Sequence, residues 1–369
     1  MRLAIDATPL IGPGTGIATF VRGVLGALAS RADVDVTAYA LSWRGRHDLP
    51  SAVPDGVGVA SRPMPAGPLL RLWSGANMPP LEWWVRGVEV VHGTNFVVPP
   101  SRRTARVVTV HDLTSVRYPE LCAPASLRYP ALVRRAVATG AFVHALSATM
   151  ADEIVDLLSV PADRVRHVYL GVDDVQAGDA RSGRSRAGAD RFVLALGTVE
   201  PRKGYGALVE AFDLVAAHDP GLHLVIAGSD GWGASELTAK IDASTHGDRV
   251  RRIGWVDAEA RADLLAAASV MAYPSVYEGF GLPPLEAMSA GVAVVATRVG
   301  AIPEVLGASA HLVPTGDVSA LADGLKLVVG DASYRDELIR RGRQQVSKYS
   351  WERCADGLMS LYEEAVAAR

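Results

Sequence analysis

The chain has 369 residues, 49% of them hydrophobic, 21% charged and 6% aromatic. That is ordinary globular composition, long enough for two cores, and it excludes a disordered chain. A net charge of −3 gives no reason to expect nucleic acid as a partner. In chain order, strands are expected at 3–5, 34–41, 88–92, 107–110 and 142–146, with amphipathic helical stretches such as 17–29 and 127–138 between them. The alternation of short apolar runs with helical patterns argues for a doubly wound parallel sheet. Residues 63–84 break the pattern with Pro63, Pro65, Pro68, Pro79 and Pro80 and with Trp73, Trp83 and Trp84. Core packing is the expected fate of these tryptophans; an exposed cluster would make an acceptor groove or a membrane-touching patch. Residues 174–190 turn polar and read as an interdomain linker. A second strand–helix series follows, with strands expected at 192–197, 223–227, 250–253, 270–273 and 293–296. The chain therefore reads as two similar α/β domains, 1–175 and 190–350. Ligands of such sheets sit at the carboxyl ends of the strands, so facing domains would put the active site in the cleft between them.

Charge and composition narrow the setting further. Residues 71–150 hold nine arginines against four acids. A solvated surface explains such an excess; the functional reading is a dock for a phosphate-bearing acceptor or an anionic membrane. Cys122 and Cys354 have neither metal-ligand spacing nor the number for a disulfide framework. Met1 to Asp6 reads as a buried strand ending in an acid, not as a signal peptide. No apolar run reaches the ~18 residues that span a bilayer. A cytoplasmic protein is expected, with at most a peripheral contact at the inner face of the membrane through residues 63–135.

Four constellations could carry chemistry. The strongest is Tyr277, Glu278, Gly279, Phe280, Gly281, Leu282, Pro283, Pro284, Leu285 and Glu286, between an expected strand and helix. A proline at the first helical position suits a helix start, and glycines let backbone N–H groups approach a ligand. A helix N-terminus favours an anion, so phosphate is the natural guest. Glu278 and Glu286 would repel phosphate, which makes sense if each accepts hydrogen bonds from hydroxyl groups flanking it: one on a transferred sugar, one on a ribose. A lone Glu286 would merely complement the helix dipole. The second is Gly197, Thr198, Val199, Glu200, Pro201, Arg202, Lys203 and Gly204, whose adjacent cations suit a diphosphate leaving group. The third is His111 and Asp112 at a strand end in the first domain. A lone histidine is usually structural, and Asp112 could bind an acceptor hydroxyl or cap the next turn. The fourth is the loop Gly12, Pro13, Gly14, Thr15 and Gly16. It fails the dinucleotide fingerprint, since the third glycine is replaced by Thr19, and this disfavours a nicotinamide oxidoreductase.

Together these stretches resemble family 4 of the retaining glycosyltransferases, GT-B in fold, and within it the bacterial mannosyltransferase-like members. The resemblance covers almost the whole chain and is most specific in the Glu-x7-Glu string and the string 197–204. Residues 110–120 and 300–305 also look like family segments. By that resemblance Arg202 and Lys203 would bind the donor diphosphate, and Glu278 the donor sugar. The amides of Gly279, Phe280, Gly281 and Leu282 would meet its hydroxyls or phosphates. Glu286 would hold the ribose, His111 would sit beside the reacting sugar, and Gly14 and Gly16 would border the phosphates. Many members carry an arginine where this chain has Thr198, and Arg202 is assigned that load. The helix 351–369 would pack back on the first domain. The implied reaction moves a hexose, mannose by resemblance, from a nucleoside diphosphate sugar such as GDP-mannose to a glycan or lipid-linked acceptor, without metal or cofactor. A nucleotide-sugar 2-epimerase and a non-catalytic nucleotide-sugar binder are the alternatives.

Overall fold

The structure, a computed structural model, describes residues 1–12, 14–173 and 177–369. The chain forms two compact units, Met1–Gly171 with Tyr349–Arg369, and Val172–Lys348.

The first unit is built on seven strands: β1 (Arg2–Asp6), β2 (Asp35–Tyr39), β3 (Gly58–Val59), β4 (Val90–Gly93), β5 (Ala105–Val110), β6 (Phe142–Ala145) and β7 (Val165–His167). They pair in the order β3-β2-β1-β4-β5-β6-β7, all parallel. Every residue of β4, β5 and β6 is buried, as a sheet covered on both faces requires. The helix Gly16–Ala29 is capped by the Thr15 side chain and buries Phe20, Val21, Val24, Leu25 and Leu28 at helical spacing. The helix Trp351–Ala367 is capped by Ser350 and buries Trp351, Cys354, Leu358, Leu361 and Tyr362.

The second unit holds β8 (Arg191–Leu196), β9 (Leu222–Ala227), β10 (Val250–Gly254), β11 (Val270–Tyr273), β12 (Val294–Thr297) and β13 (His311–Val313). Their order is β10-β9-β8-β11-β12-β13, again all parallel. Leu208, Phe212, Leu224, Ile226 and Leu325 lie in its core. In each sheet the strand order reverses once, between β1 and β4 and between β8 and β11. Those are the switch points at whose carboxyl edge open α/β sheets bind ligands.

Three findings depart from the sequence reading. The stretch 174–190 contains a helix, Ala180–Ala187, capped by Asp179 and packed against the helix Ala258–Ala267 of the same unit. Its polarity is that of a helix burying only Gly183 and Ala187. Residues 174–176 lie outside the described residues. The short strands β3, β7 and β13 were not expected. Finally, the tryptophans divide: Trp73 is buried and donates Nε1–H to Pro79 O at 3.0 Å, and Trp84 donates to Pro63 O at 2.8 Å, but Trp83 is 56% exposed.

Candidate functional site

The loops after β8 and β11, the strands flanking the second switch point, converge. After β8 the chain makes a 3-10 turn, Pro201–Lys203, and leaves it through Gly204 at φ +67°. A Cβ there would lie 2.1 Å from Pro274 O, so both the dihedral and the close approach require glycine. Val276 N–H donates to Arg202 O at 2.8 Å and ties the two loops together. Glu278 Oε1 then accepts from Lys203 Nζ and from Ser275 Oγ, each at 2.7 Å, while Oε2 faces Arg202 Nη1 at 3.0 Å. Lys203 also reaches Tyr273 Oη at 3.3 Å and lies over that ring. Arg202 further meets Tyr277 O and Glu200 Oε2, both at 3.3 Å. The three residues of the two strongest motifs thus form one ionic cluster, with Glu278 7% and Lys203 8% exposed.

Its electrostatics follow from burial and pairing. Burial works to raise the Glu278 carboxyl, but Arg202 and Lys203 outweigh it and hold the group at about 2. Burial lowers the Lys203 ammonium, with Glu278 opposing and Arg202 adding to the shift. Two cations are held between two carboxylates, Glu278 and Glu200, so an arriving diphosphate would meet a pair of cations already fixed in place.

The helix after this loop is Leu282–Ser289, entered through Gly281 at φ +114°. Pro283 and Pro284 occupy its second and third positions, not the first as expected. Neither has an N–H, and those early positions have no intrahelical acceptor to lose. Gly279, Phe280, Gly281 and Leu282 are all buried. Glu286 lies one turn into the helix, and its Oε2 is ion-paired with Arg261 Nη2. The segment 300–305 supports the loop: Ala301 N–H donates to Glu278 O at 3.0 Å.

In the first unit, His111 follows β5 and donates Nε2–H to Thr94 O at 2.7 Å, which leaves Nδ1 as the acceptor nitrogen of the ring. Thr94 follows β4, and its hydroxyl donates to Asp6 O at the end of β1. The imidazole stands edge-on to Phe20 and Phe96, with centroids at 5.5 and 5.7 Å. Burial lowers its pKa, with the Thr94 contact and Asp112 opposing. Asp112 Oδ1 accepts from Thr114 N at 2.9 Å, so it caps the following turn. Gly14 and Gly16 are exposed, and a Cβ at either would meet nothing within 4 Å. Their backbone is open to a ligand; Pro13 lies outside the described residues. Sequence reasoning passed over Tyr273, Ser275, Thr94 and Arg261. Only Ser275, three residues before Glu278, offered a spacing that could have flagged it.

Residues 14–176 match the family model Glycosyltransferase Family 4, and residues 179–345 match Glycosyl transferases group 1. The chain is 31% identical over 282 residues to the O-antigen chain mannosyltransferase B of Escherichia coli, with 74% of each chain covered. It is 30% identical to the D-inositol 3-phosphate glycosyltransferase of Saccharomonospora viridis, over 99% of this chain and 94% of that one. The solved sucrose-phosphate synthase of Thermosynechococcus elongatus superposes with a TM-score of 0.79 at 21% identity, covering 100% of both chains, a likeness of fold. The chain belongs to glycosyltransferase family 4, has the GT-B fold and is a glycosyl-transferring enzyme.

Proposed function

We propose that the enzyme transfers a hexose, mannose in the first instance, from a nucleoside diphosphate sugar to a hydroxyl of a glycan or glycolipid, with retention at the anomeric carbon. The observation that carries this reading is the cluster of Arg202, Lys203 and Glu278 at the switch point of the second sheet. Arg202 and Lys203 take the diphosphate, and the loop from Gly279 to Leu282 lies along the donor. Glu278 takes sugar hydroxyls, and Glu286 those of the ribose. Gly14 and Gly16 border the phosphates, and His111 serves the reacting sugar through Nδ1. Asp112 is assigned to the acceptor. As the bond to the diphosphate breaks, negative charge develops on the leaving oxygen, where the two cations are already fixed. The departing diphosphate accepts the acceptor's proton on the same face, so no second catalytic carboxylate is needed, unlike in glycoside hydrolysis. Mannose is favoured by the likeness to the Escherichia coli O-antigen mannosyltransferase.

The test is turnover of GDP-mannose and UDP-glucose in EDTA with a panel of glycan and glycolipid acceptors. Glu278→Ala and Lys203→Ala should each lower turnover by orders of magnitude in folded protein. Near-normal rates in either variant, or a requirement for manganese, would contradict the assignment. Conversion of the donor without acceptor would favour the epimerase instead.

We further propose a peripheral membrane contact through residues 63–135. Trp83 and Leu72 are exposed, and Arg62 donates to Trp83 O. Each arginine near an anionic surface contributes about 1 kcal/mol. Co-sedimentation with phosphatidylglycerol vesicles but not with phosphatidylcholine vesicles is expected; equal recovery with both would refute it.

A further inference from the structure

Glu278 is held by donors of two kinds. Arg202 and Lys203 are cations, and both keep some exposed surface. The third donor is the hydroxyl of Ser275, just beyond β11, at 2.7 Å from Oε1. Ser275 is fully buried, and among the described residues its hydroxyl makes no other hydrogen bond. Its backbone is fixed from two sides. The Thr297 hydroxyl, at the buried end of β12, donates to Ser275 O, and the N–H of the next residue, Val276, donates to Arg202 O at 2.8 Å. A buried hydroxyl must find an acceptor, and the acceptor of this one is the Glu278 carboxylate.

The two kinds of donor answer a diphosphate differently. Phosphate competes with the carboxylate for Arg202 and Lys203, because both anions take the same charge-assisted hydrogen bonds. It cannot compete for Ser275, which has no exposed surface to offer. We propose that Ser275 is the positioning residue that keeps Glu278 aimed at the sugar while Arg202 and Lys203 hold the diphosphate. This rests on the reading of Glu278 as the sugar ligand. The serine anchors Oε1, and Oε2 is left to accept from a sugar hydroxyl as the diphosphate draws Arg202 away. A carboxylate held in this way loses no rotamer freedom when the sugar binds. The Ser275 hydrogen bond also lowers the Glu278 carboxyl, and so opposes the effect of burial when the cations are engaged elsewhere.

The test measures, by calorimetry on the full-length protein, the affinity for a nucleotide sugar relative to that for its free diphosphate. GDP-mannose is compared with GDP and UDP-glucose with UDP, and the pair that binds is carried through the variants. In Ser275→Ala the affinity for the diphosphate should stay within about twofold of wild type, while the ratio of sugar nucleotide to diphosphate falls about tenfold, the value of a hydrogen bond to a charged group. A merely structural serine would weaken both ligands together. Ser275→Thr keeps the hydroxyl and should keep the wild-type ratio. If the Ala variant does not fold, Ser275→Cys, whose thiol is a weak donor, supplies the same comparison. An unchanged ratio in the Ala or Cys variant overturns the proposal, and so does an equal loss in the Ala and Thr variants, which would assign the effect to packing. Glu278→Gln separates the two ideas. A wild-type ratio in that variant would refute the sugar reading of Glu278, whatever Ser275 does; a lowered ratio there with an unchanged one in Ser275→Ala would sink the role of the serine alone.

Discussion

At the scale of single residues, two buried carboxyls are pushed in opposite directions, and stability should record both. Glu278 is held at about 2, below the ordinary 4.5, by its cations against the effect of burial. Its contribution to stability is complete above the unfolded value and is lost as pH falls from about 4.5 through 2; the shift corresponds to about 3 kcal/mol. Asp6, at the end of β1, is raised by burial to about 6 from 3.8, with its hydrogen bonds to Thr8 opposing. Here the sign inverts. The folded state binds the proton more tightly, so a penalty of about 3 kcal/mol grows as pH rises from about 4 to 6 and is complete above it. Urea unfolding should find Asp6→Asn more stable than wild type at pH 7 and close to it at pH 4. Glu278→Gln should lose most at pH 7, with the loss shrinking toward pH 2. Parallel pH profiles for the two variants would contradict this. Glu278, Arg202 and Lys203 were legible in the sequence because a turn rich in glycine and proline framed each of them. Arg261 was not: it stands inside a helix, four residues after the cap Asp257, with nothing in its spacing to mark it. Tyr273 read only as the apolar end of a strand.

At the scale of elements, the long buried strands were legible and the short edges were not. β1, β5, β8, β9 and β11 are apolar runs bounded by turn residues. β3, β7 and β13 have two, three and three residues, too few to show a period. The helix Ala180–Ala187 was hidden because it turns so little to the core. The element on which the site depends is the turn Pro201–Lys203, and Gly204 is its weakest point for substitution. Gly204→Ala should cost about 2 kcal/mol or more, since the left-handed dihedral is compounded by the contact with Pro274 O. If the loop moves to relieve that contact, Lys203 leaves Glu278 and donor turnover falls with stability. Denaturant midpoints and turnover measured together decide the matter; wild-type values for both would show that the turn tolerates a side chain.

At the scale of the molecule, the first unit is discontinuous in sequence, because Tyr349–Arg369 returns to it. The helix Trp351–Ala367 does more there than cover a face. His144 Nε2–H donates to Val168 O at 2.9 Å, which makes its Nδ1 an acceptor for the Thr109 hydroxyl. Thr109 Oγ1 then accepts from His92 Nε2–H, and His92 Nδ1 accepts from the Tyr362 hydroxyl, both at 2.7 Å. The chain of donors runs from the helix through β4 and β5 to β6 and is complete only with both imidazoles neutral. Burial keeps them so, with His144 lowered to about 4. Removing residues 349–369 would take away the buried side chains of Trp351, Leu358, Leu361 and Tyr362, each contributing about 1.5–3 kcal/mol, uncover the surface they pack on, and leave His92 Nδ1 without its donor. That sum is comparable to the 5–15 kcal/mol by which a whole domain is held folded. Hydrogen exchange on the chain ending at Lys348 should therefore show β1, β4 and β5 unprotected while β8, β9 and β11 stay protected. Tyr362→Phe, which removes only the donor, should cost about 1–2 kcal/mol in the first unit and nothing in the second. Native protection in both units of the shortened chain would mean that the seven-stranded sheet holds without the returning helix.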